Sequence, residues 1–276
     1  MFATDQSIGV PELAVEAEAR GLASLYLPEH THIPTSRRTP PPTGDAELAD
    51  EYKRTVDPFV VLAAAAARTQ RIRLGTGICL VAQREPIVTA KAAATLDWVS
   101  DGRLEFGIGY GWNHDEMEDH GVDPKVRRSV AREHVLAMQA LWRDDVASFA
   151  GEYVSFPATW SWPKPTQPGG PPVLLGGAAG PILFEHVAEY CDGWLPIGGA
   201  GVRDSIPKLE AACEKRGRDP KELRVVPFGT VADDARLDYY ESFGLDEVVL
   251  RVPGATRDKV LRVLDRYGEM VAARAG

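Results

Sequence analysis

The chain has 276 residues, of which 26% are charged and 44% hydrophobic, with a formal charge of −9; this balance is typical of a globular protein. The acidic excess argues against nucleic acid and against an anionic membrane as partners. Cys79, Cys191 and Cys213 form no CxxC pair, which favours reduced thiols. No run reaches the roughly 18 apolar residues of a membrane-spanning helix, and the N-terminus lacks a signal-peptide pattern. We therefore expect a cytoplasmic protein with a single domain over residues 1–276.

Apolar runs of strand length alternate with amphipathic stretches almost to the end of the chain. The runs are continuous rather than alternating in polarity, which is typical of parallel strands covered on both faces. Strands are predicted at 24–27, 72–77, 104–109, 173–177, 193–197, 224–230 and 247–252. Helices are predicted at 11–20, 57–69, 87–100, 128–143, 181–190, 203–216, 233–243 and 256–271. Pro58 stands where a helix should begin, and Gly21, Gly217 and Gly244 stand where helices should end.

This alternation predicts the α/β class and, within it, an eight-stranded (β/α)8 TIM barrel. Seven strands leave the barrel one short, and residues 1–4 are the only candidate for the first strand. Either that strand is truncated to a stub or the chain starts late; a doubly wound open sheet is the alternative. Long insertions are expected at 28–56, after strand 2, and at 145–172, between helix 4 and strand 5. The second insertion holds a short β-like piece at 153–156, and loops this long are usually functional.

Glycine clusters follow three of the predicted strands. GIGYGWN at 107–113 and LLGGAAG at 174–180 could expose main-chain N–H groups to a phosphate, and the second runs straight into a helix. The alternative is that these glycines only make tight turns between strand and helix. The third cluster, LGTGICL at 74–80, has no obvious turn sequence after Gly77 and Ile78, which indicates a bulge into the barrel mouth.

The motif PEHTHIP at 28–34 places Glu29, His30 and His32 just after a strand, where a carboxylate and an imidazole could act as general acid and base. Ordinary loop residues are the alternative, above all for His32. A metal site is a further alternative, but no ligand spacing such as HExxH is present, and we predict no metal. Its additional ligands would be His114, Asp115, Glu116 and His120. Four tryptophans near rim loops could wall a flat ring and an apolar substrate, or only pack the loops: Trp112, Trp160, Trp162 and Trp194.

The chain resembles the luciferase-like monooxygenase superfamily, the barrels of bacterial luciferase and the deazaflavin-dependent reductases. The matching segments are GLASLYLPEH, IRLGTGICLVAQREPIVTAKAAATLDWVSDGRLEFGIGYGWNHDEME and PPVLLGG followed by AEYCDGWLPIG. They extend over nearly the whole chain from about residue 9. EHTHIPTSRR and WSWPKP resemble the group described as coenzyme F420-dependent oxidoreductases.

The resemblance implies roles for individual residues. The bond between Gly77 and Ile78 matches a non-prolyl cis peptide that lies behind the central ring of the flavin or deazaflavin, and Glu29-His30 matches an acidic-His pair beside its reactive face. One half of the phosphate site matches Tyr110, Gly111 and Trp112. The other half matches Gly176, Gly177 and Ala178. The cofactor-binding set also includes Thr76 and Asn113.

Two departures from the family pattern limit the activity and the cofactor that the resemblance implies. Trp112 stands where the sugar-phosphate dehydrogenases of the superfamily carry a catalytic Glu, so that activity is not expected. Tyr110 stands where bacterial luciferase has an Arg on the phosphate, which favours the deazaflavin over FMN. The resemblance thus implies a coenzyme F420-dependent oxidoreductase acting on a small-molecule substrate. An FMN-dependent monooxygenase and a non-catalytic flavin-binding relative are the alternatives. Members of the family are commonly dimers, so the resemblance also implies a homodimer.

Overall fold

The computed structural model describes residues 1–41 and 47–274. The helices are α1 Val10–Ala19, α2 Pro58–Ala66, α3 Pro86–Val99, α4 His114–Asp119, α5 Arg127–Arg143, α6 Pro181–Tyr190, α7 Val202–Lys215, α8 Asp234–Glu241 and α9 Arg257–Arg274. The strands are β1 Ser24–Leu27, β2 Arg73–Thr76, β3 Leu104–Ile108, β4 Ala147–Ala150, β5 Ser155–Thr159, β6 Val173–Gly176, β7 Gly193–Leu195, β8 Arg224–Val225, β9 Phe228–Thr230 and β10 Val249–Leu250. Each predicted helix is present, and α4 is an additional one. No helix in these ranges is both long and apolar enough to cross a bilayer.

The main sheet is parallel, in the order β1-β2-β3-β6-β7-β8, with β9 and β10 paired beside it. A bridge between Ile197 and Phe228 joins the end of β7 to β9, so the strands continue around a barrel. All five residues of β3 and all four of β6 are buried, as expected for strands covered on both faces. The predicted α/β class with parallel strands is confirmed.

Local chemistry explains where the helices begin and end. Asp57 caps α2 by accepting a hydrogen bond from the N–H of Val60 at 3.1 Å, and Pro58 follows it at the first helical position. After α1, Gly21 takes a positive φ of 76°, and its N–H bonds to the carbonyl of Glu18. Glycine adopts this left-handed conformation without steric cost, so the helix stops there.

The prediction that residues 1–4 form a stub of the first barrel strand is wrong. Residues 1–4 do not pair with the barrel; Thr4 forms an isolated antiparallel bridge to Thr55, and the N–H of Val56 bonds to the carbonyl of Ala3. This segment lies across the carboxyl ends of the strands because it pairs with the loop that precedes α2. In the described residues, therefore, no strand lies between β10 and β1.

Two further predictions need correction. The strand predicted at 224–230 is divided into β8 and β9 at Pro227. The N–H groups of Val226 and Phe228 still donate to the carbonyls of Trp194 and Pro196, and the carbonyl of Pro227 accepts from Val249 of β10. The β-like piece at 153–156 belongs to an antiparallel hairpin of β4 and β5 inside the second long insertion.

The amino end of the barrel is filled by charged side chains. Arg224 donates to Glu105 and to Glu247, at 2.6 Å in each case, and Arg73 also donates to Glu247 at 2.6 Å. The hydroxyl of Tyr26 donates to Glu105 from inside the barrel. Because this network closes the amino end, the open mouth lies at the carboxyl ends of the strands.

Candidate active site

The predicted site residues meet at the mouth of the barrel. Neighbouring parallel strands end at the same edge, so the segments that follow them converge there. These residues are Glu29 and His30 after β1, Gly77 and Ile78 after β2, Tyr110, Gly111, Trp112 and Asn113 after β3, and Gly177 and Ala178 after β6.

The segment after β2 crosses the mouth. The Gly77–Ile78 peptide bond is cis, as the resemblance implies. The N–H of Gly77 bonds to the carbonyl of Leu27 at 2.6 Å, and the N–H of Cys79 bonds to the carbonyl of Gly107 at 2.8 Å. The segment is thus held by β1 on one side and by β3 on the other, and the side chain of Ile78 lies against Gly109 and Gly176.

Three glycines of the strand ends allow close packing in this region. A Cβ atom at Gly109 would lie 2.6 Å from Cδ1 of Ile78, and one at Gly176 would lie 2.7 Å from Cγ2 of the same side chain. At Gly107 it would overlap the carbonyl oxygen of Thr76. The hydroxyl of Thr76 donates to the carbonyl of Gly107 at 2.7 Å, so its hydrogen-bond donor is already engaged by the neighbouring strand. Packing therefore requires glycine at these three positions.

His30 is held in a defined orientation. The residue is 8% exposed, and its Nδ1 lies 2.8 Å from Oε2 of Glu116, a buried residue of α4. An ionised carboxylate only accepts hydrogen bonds, so Nδ1 carries the proton of this bond and Nε2 remains for a substrate. The rings of Tyr52 and Trp112 lie 5.4 and 6.0 Å from the imidazole, centroid to centroid. The result is a carboxylate–imidazole pair beside an aromatic wall.

Glu29 has a different set of partners. Its carboxylate accepts from the N–H of Leu80 at 2.7 Å and from Nε of Arg84 at 2.6 Å, and a second nitrogen of Arg84 contacts it as well. Arg84 also contacts Asp57 at 2.7 Å. Both oxygens of this buried carboxylate are engaged, and the interactions tie the segment after β2 to the end of β1.

Several buried polar atoms at this end of the barrel have no partner among the described residues. They are both amide atoms of Asn113, both amide atoms of Gln83, and Oε1 of Glu116. Gln83 approaches the mouth beneath Gly111, where an added Cβ would lie 3.6 Å from its Nε2. Buried polar groups without partners are rare in folded proteins. This cluster therefore fits a bound group with a polar edge, such as the heterocycle of a flavin or deazaflavin.

The opposite side of the mouth fits a phosphate. Ala178 and Ala179 are exposed immediately before α6, whose first N–H groups have no intrahelical partner. Nearby, the hydroxyls of Tyr110 and Tyr190 lie 2.8 and 3.1 Å from Nδ1 of His186, which links the end of β3 to α6.

Burial determines the protonation of Tyr110 and His186 on this side of the mouth. It raises the pKa of Tyr110 above its usual value and lowers the pKa of His186, so both groups are neutral near pH 7. The guanidinium carbon of Arg128 lies 5.8 Å from the ring centroid of Tyr110.

The structure separates other candidates from the mouth. His32 is exposed, and its Nε2 lies 3.0 Å from a carboxylate oxygen of Asp119. Trp194 is buried in β7, and its indole N–H donates to the carbonyl of Gly177. Trp160 and Trp162 lie exposed after β5. Across 1–41 and 47–274, no group of three or more His, Cys, Asp or Glu side chains could hold a metal ion.

Sequence reasoning missed part of the site. The sequence pattern indicates Glu116 only as a possible metal ligand, because it does not predict α4, and it gives no indication of Gln83 or His186. Glu116 lies three residues after Asn113 and could have been found from a capping pattern. For Gln83 and His186 no local signal exists, since their partners come from distant segments.

Comparisons with known proteins identify the family of the chain. The model of the luciferase-like monooxygenase family matches residues 8–258. An uncharacterised protein of Mycobacterium tuberculosis is 39% identical over 275 residues, which cover 99% of this chain and 97% of that protein. The F420-dependent glucose-6-phosphate dehydrogenase of Amycolatopsis mediterranei is 29% identical over 218 residues, 78% of this chain and 60% of the relative.

Among solved structures, the monooxygenase RslO1 from Streptomyces bottropensis superposes with a TM-score of 0.78. It is 21% identical, and the match covers 97% of this chain and 93% of that one. This likeness establishes the fold, while the family match extends over most of the sequence. The chain belongs to the luciferase-like monooxygenase family.

Proposed function

We propose that this protein is an oxidoreductase that transfers a hydride between coenzyme F420 and a small carbonyl or unsaturated substrate. The observation that carries the proposal is the pair of His30 and Glu116 at the mouth of the barrel, on the same side as the unpartnered amide of Asn113. Similarity to an F420-dependent dehydrogenase supports the cofactor class.

The residues at the mouth suit the parts of such a cofactor. The amides of Asn113 and Gln83 would hold the polar edge of its ring, and Ile78 would offer an apolar surface. The N–H groups at the start of α6 would hold its phosphate beside Tyr110. When bound, coenzyme F420 supplies or accepts the hydride, and the protein supplies position and protons.

His30 is the residue that would hold or move a proton, at Nε2. Glu116 accepts from Nδ1, which keeps the ring in one orientation and offsets the positive charge when Nε2 takes up a proton. In the reduction of a carbonyl, Nε2 would donate to the developing alkoxide; in the oxidation of an alcohol, it would accept the hydroxyl proton. Trp112 and Tyr52 beside the imidazole would keep water away from this exchange.

Trp112 also bears on the class of substrate. Its indole lies beside His30, at a position where the sugar-phosphate dehydrogenases of the superfamily have a carboxylate. An indole surface favours an apolar substrate over a sugar phosphate.

An FMN-dependent monooxygenase is the second candidate function. The fold shared with a Streptomyces monooxygenase favours it. The phosphate side argues for the deazaflavin, because Tyr110 is neutral and already bonded to His186. A neutral tyrosine at this position, where bacterial luciferase has an arginine, suits a phosphate diester better than the dianionic phosphate of FMN.

The test is a fluorescence titration of the purified protein with coenzyme F420 and, separately, with FMN, followed by turnover assays with ketones and enones. We expect F420 to bind with a submicromolar Kd and to be consumed. The variant His30→Gln should keep binding and lose turnover by at least about 100-fold. His32→Gln, at an exposed neighbouring histidine, is the matched control and should behave as wild type. Binding of FMN alone would refute the proposal, and tight binding of F420 without turnover of any substrate would favour a non-catalytic relative.

We also propose that the protein is a homodimer. Val60 on α2 and Val88 and Trp98 on α3 are all more than 60% exposed, and the two helices are neighbours. Apolar side chains exposed together on adjacent helices are typical of an interface between copies. Light scattering coupled to gel filtration should give twice the 30.0 kDa of one chain, and Trp98→Glu should reduce the mass to one chain.

A further inference from the structure

Apolar side chains continue along the inner face of the barrel to its mouth at β7 and β9. Leu195 of β7 is buried and packs with Tyr26 and Val226 inside the barrel. Side chains two positions apart in a strand point to the same face, so Ile197, just past the end of β7, also faces the interior. The parallel bridge between Ile197 and Phe228 places the side chain of Phe228 on this face as well.

Phe228 lies beside the segment that follows β2. A Cβ at Gly77 would lie 2.5 Å from Cε2 of Phe228, and the Phe228 ring meets the Tyr26 ring edge-on with centroids 6.0 Å apart. Phe228 is partly buried, whereas Ile197 is 69% exposed. The exposure of apolar side chains therefore increases along the inner face, from the core to the open mouth. We call Ile197 and Phe228 the apolar wall.

The two segments that carry the apolar wall, residues 196–202 and 226–231, contain a single polar side chain. That residue is Thr230, which is buried, and its hydroxyl bonds to a main-chain carbonyl. The hydroxyl of Tyr240, a buried residue of α8, lies 3.5 Å from the carbonyl of Gly198. Both hydroxyls are thus directed at the main chain, and a molecule at the apolar wall meets apolar side chains.

The apolar wall and His30 lie on opposite sides of the mouth. β7 is the fourth strand after β1 in the sheet order, and in a barrel of about eight strands this spacing leads to the opposite side. The β1 and β3 side of the mouth carries His30, Glu116 and Asn113, which are polar and buried. One side of the mouth can therefore exchange a proton, and the other gains free energy only when an apolar group covers it.

We propose that Ile197 and Phe228 determine which substrates are accepted, by binding an apolar substituent of the substrate while its carbonyl group is held at His30. This inference rests on the proposed function, because it takes His30 as the residue that donates the proton. The substrate class is a ketone or enone whose carbonyl carries an alkyl or aryl group of several carbons. A sugar or a keto acid would lose hydrogen bonds to water on this side and gain none from the apolar wall.

The kinetic test uses methyl ketones from acetone to 2-octanone as substrates, with reduced coenzyme F420 as the hydride donor. In the original chain kcat/KM should rise about 4-fold for each added methylene until the apolar wall is covered. In Ile197→Thr, which stays β-branched at the bridge position, the ratio of kcat/KM for 2-octanone to that for acetone should fall at least about 10-fold, mainly through KM. Val146→Thr, at a 54% exposed residue before β4, is the matched control and should behave as the original chain.

A second measurement does not depend on turnover or on the cofactor. The δ1-methyl resonances of isoleucine are recorded by NMR in the cofactor-free protein while 2-heptanone is added, and Ile197→Val assigns the signal of Ile197. We expect the Ile197 resonance to shift and the resonance of Ile87, which is 41% exposed on α3, to stay in place.

Three results would overturn the inference. The first is an unchanged dependence on chain length in Ile197→Thr, and the second is an Ile197 resonance that does not shift. The third is weaker F420 binding by Ile197→Thr with an equal loss of kcat/KM for acetone and 2-octanone, which would assign the apolar wall to the cofactor. A shift of the Ile197 resonance without turnover of any ketone would support the apolar wall and refute the proposed hydride transfer.

Discussion

Replacement of Glu29 by Gln distinguishes a catalytic carboxylate from one that holds the site together. The two side chains have nearly the same shape, but the amide of Gln can offer only one oxygen. If that oxygen accepts from the N–H of Leu80, the NH2 group of Gln faces the guanidinium of Arg84. Both groups are hydrogen-bond donors, so they cannot bond to each other. With the amide reversed, the N–H of Leu80 loses its acceptor. Neither orientation satisfies both partners.

The magnitude follows from the burial of the pair. Removing one partner of a buried ion pair costs about 3–5 kcal/mol. The side chain of Arg84 is 18% exposed and keeps its ion pair with Asp57 in the variant. We therefore expect Glu29→Gln to lower the free energy of unfolding by about 2–3 kcal/mol. For a chain of this size, 1 kcal/mol shifts Tm by roughly 2–4 °C, so Tm should fall by roughly 5–10 °C. F420 affinity should fall too, because the segment after β2 loses its anchor.

The assay is thermal unfolding of the protein without cofactor, followed by F420 titration. Asp57→Asn is the matched control: it removes the other carboxylate on Arg84, which is 44% exposed, and keeps a residue that can cap α2. It should cost less than about 1 kcal/mol. If Glu29→Gln melts within 2 °C of wild type and binds F420 normally but does not turn over, the reasoning is refuted. Glu29 would then be catalytic, as the resemblance implies.

Three further predictions follow from the same contacts. Gly107→Ala should lower stability by about 3 kcal/mol, because its methyl group meets a carbonyl oxygen of β2; Gly180→Ala, where a Cβ meets nothing within 4 Å, should change urea unfolding little. Burial lowers the pKa of His186 and His134, so the unfolded chain binds protons that the folded chain does not. Tm should therefore fall as pH drops below about 6.5, less steeply in His186→Gln, and an unchanged slope would contradict this. Glu116→Gln should keep Tm within about 3 °C, since an amide oxygen still accepts from Nδ1, yet lower kcat at least about 10-fold; full activity would exclude the pair from proton transfer.

The sequence by itself determined the elements and their class. Continuous apolar runs, Pro58 at a helix start and Gly21 at a helix end are local signals, and each corresponds to the observed structure. Parallel strands bring their carboxyl ends to one edge, so the neighbourhood of His30 and Asn113 could be predicted once the strands were recognised. The family followed from the long motif between residues 72 and 113.

Only the tertiary structure decided what each site residue contacts. His30 meets Glu116 across 86 positions of the chain, and Glu29 meets Arg84 across 55. No periodicity encodes such pairings, because they depend on how loops after different strands pack together. The glycines of the strand ends show the same limit. Their pattern predicts ligand binding, and the structure adds that Gly109 and Gly176 make room for the side chain of Ile78.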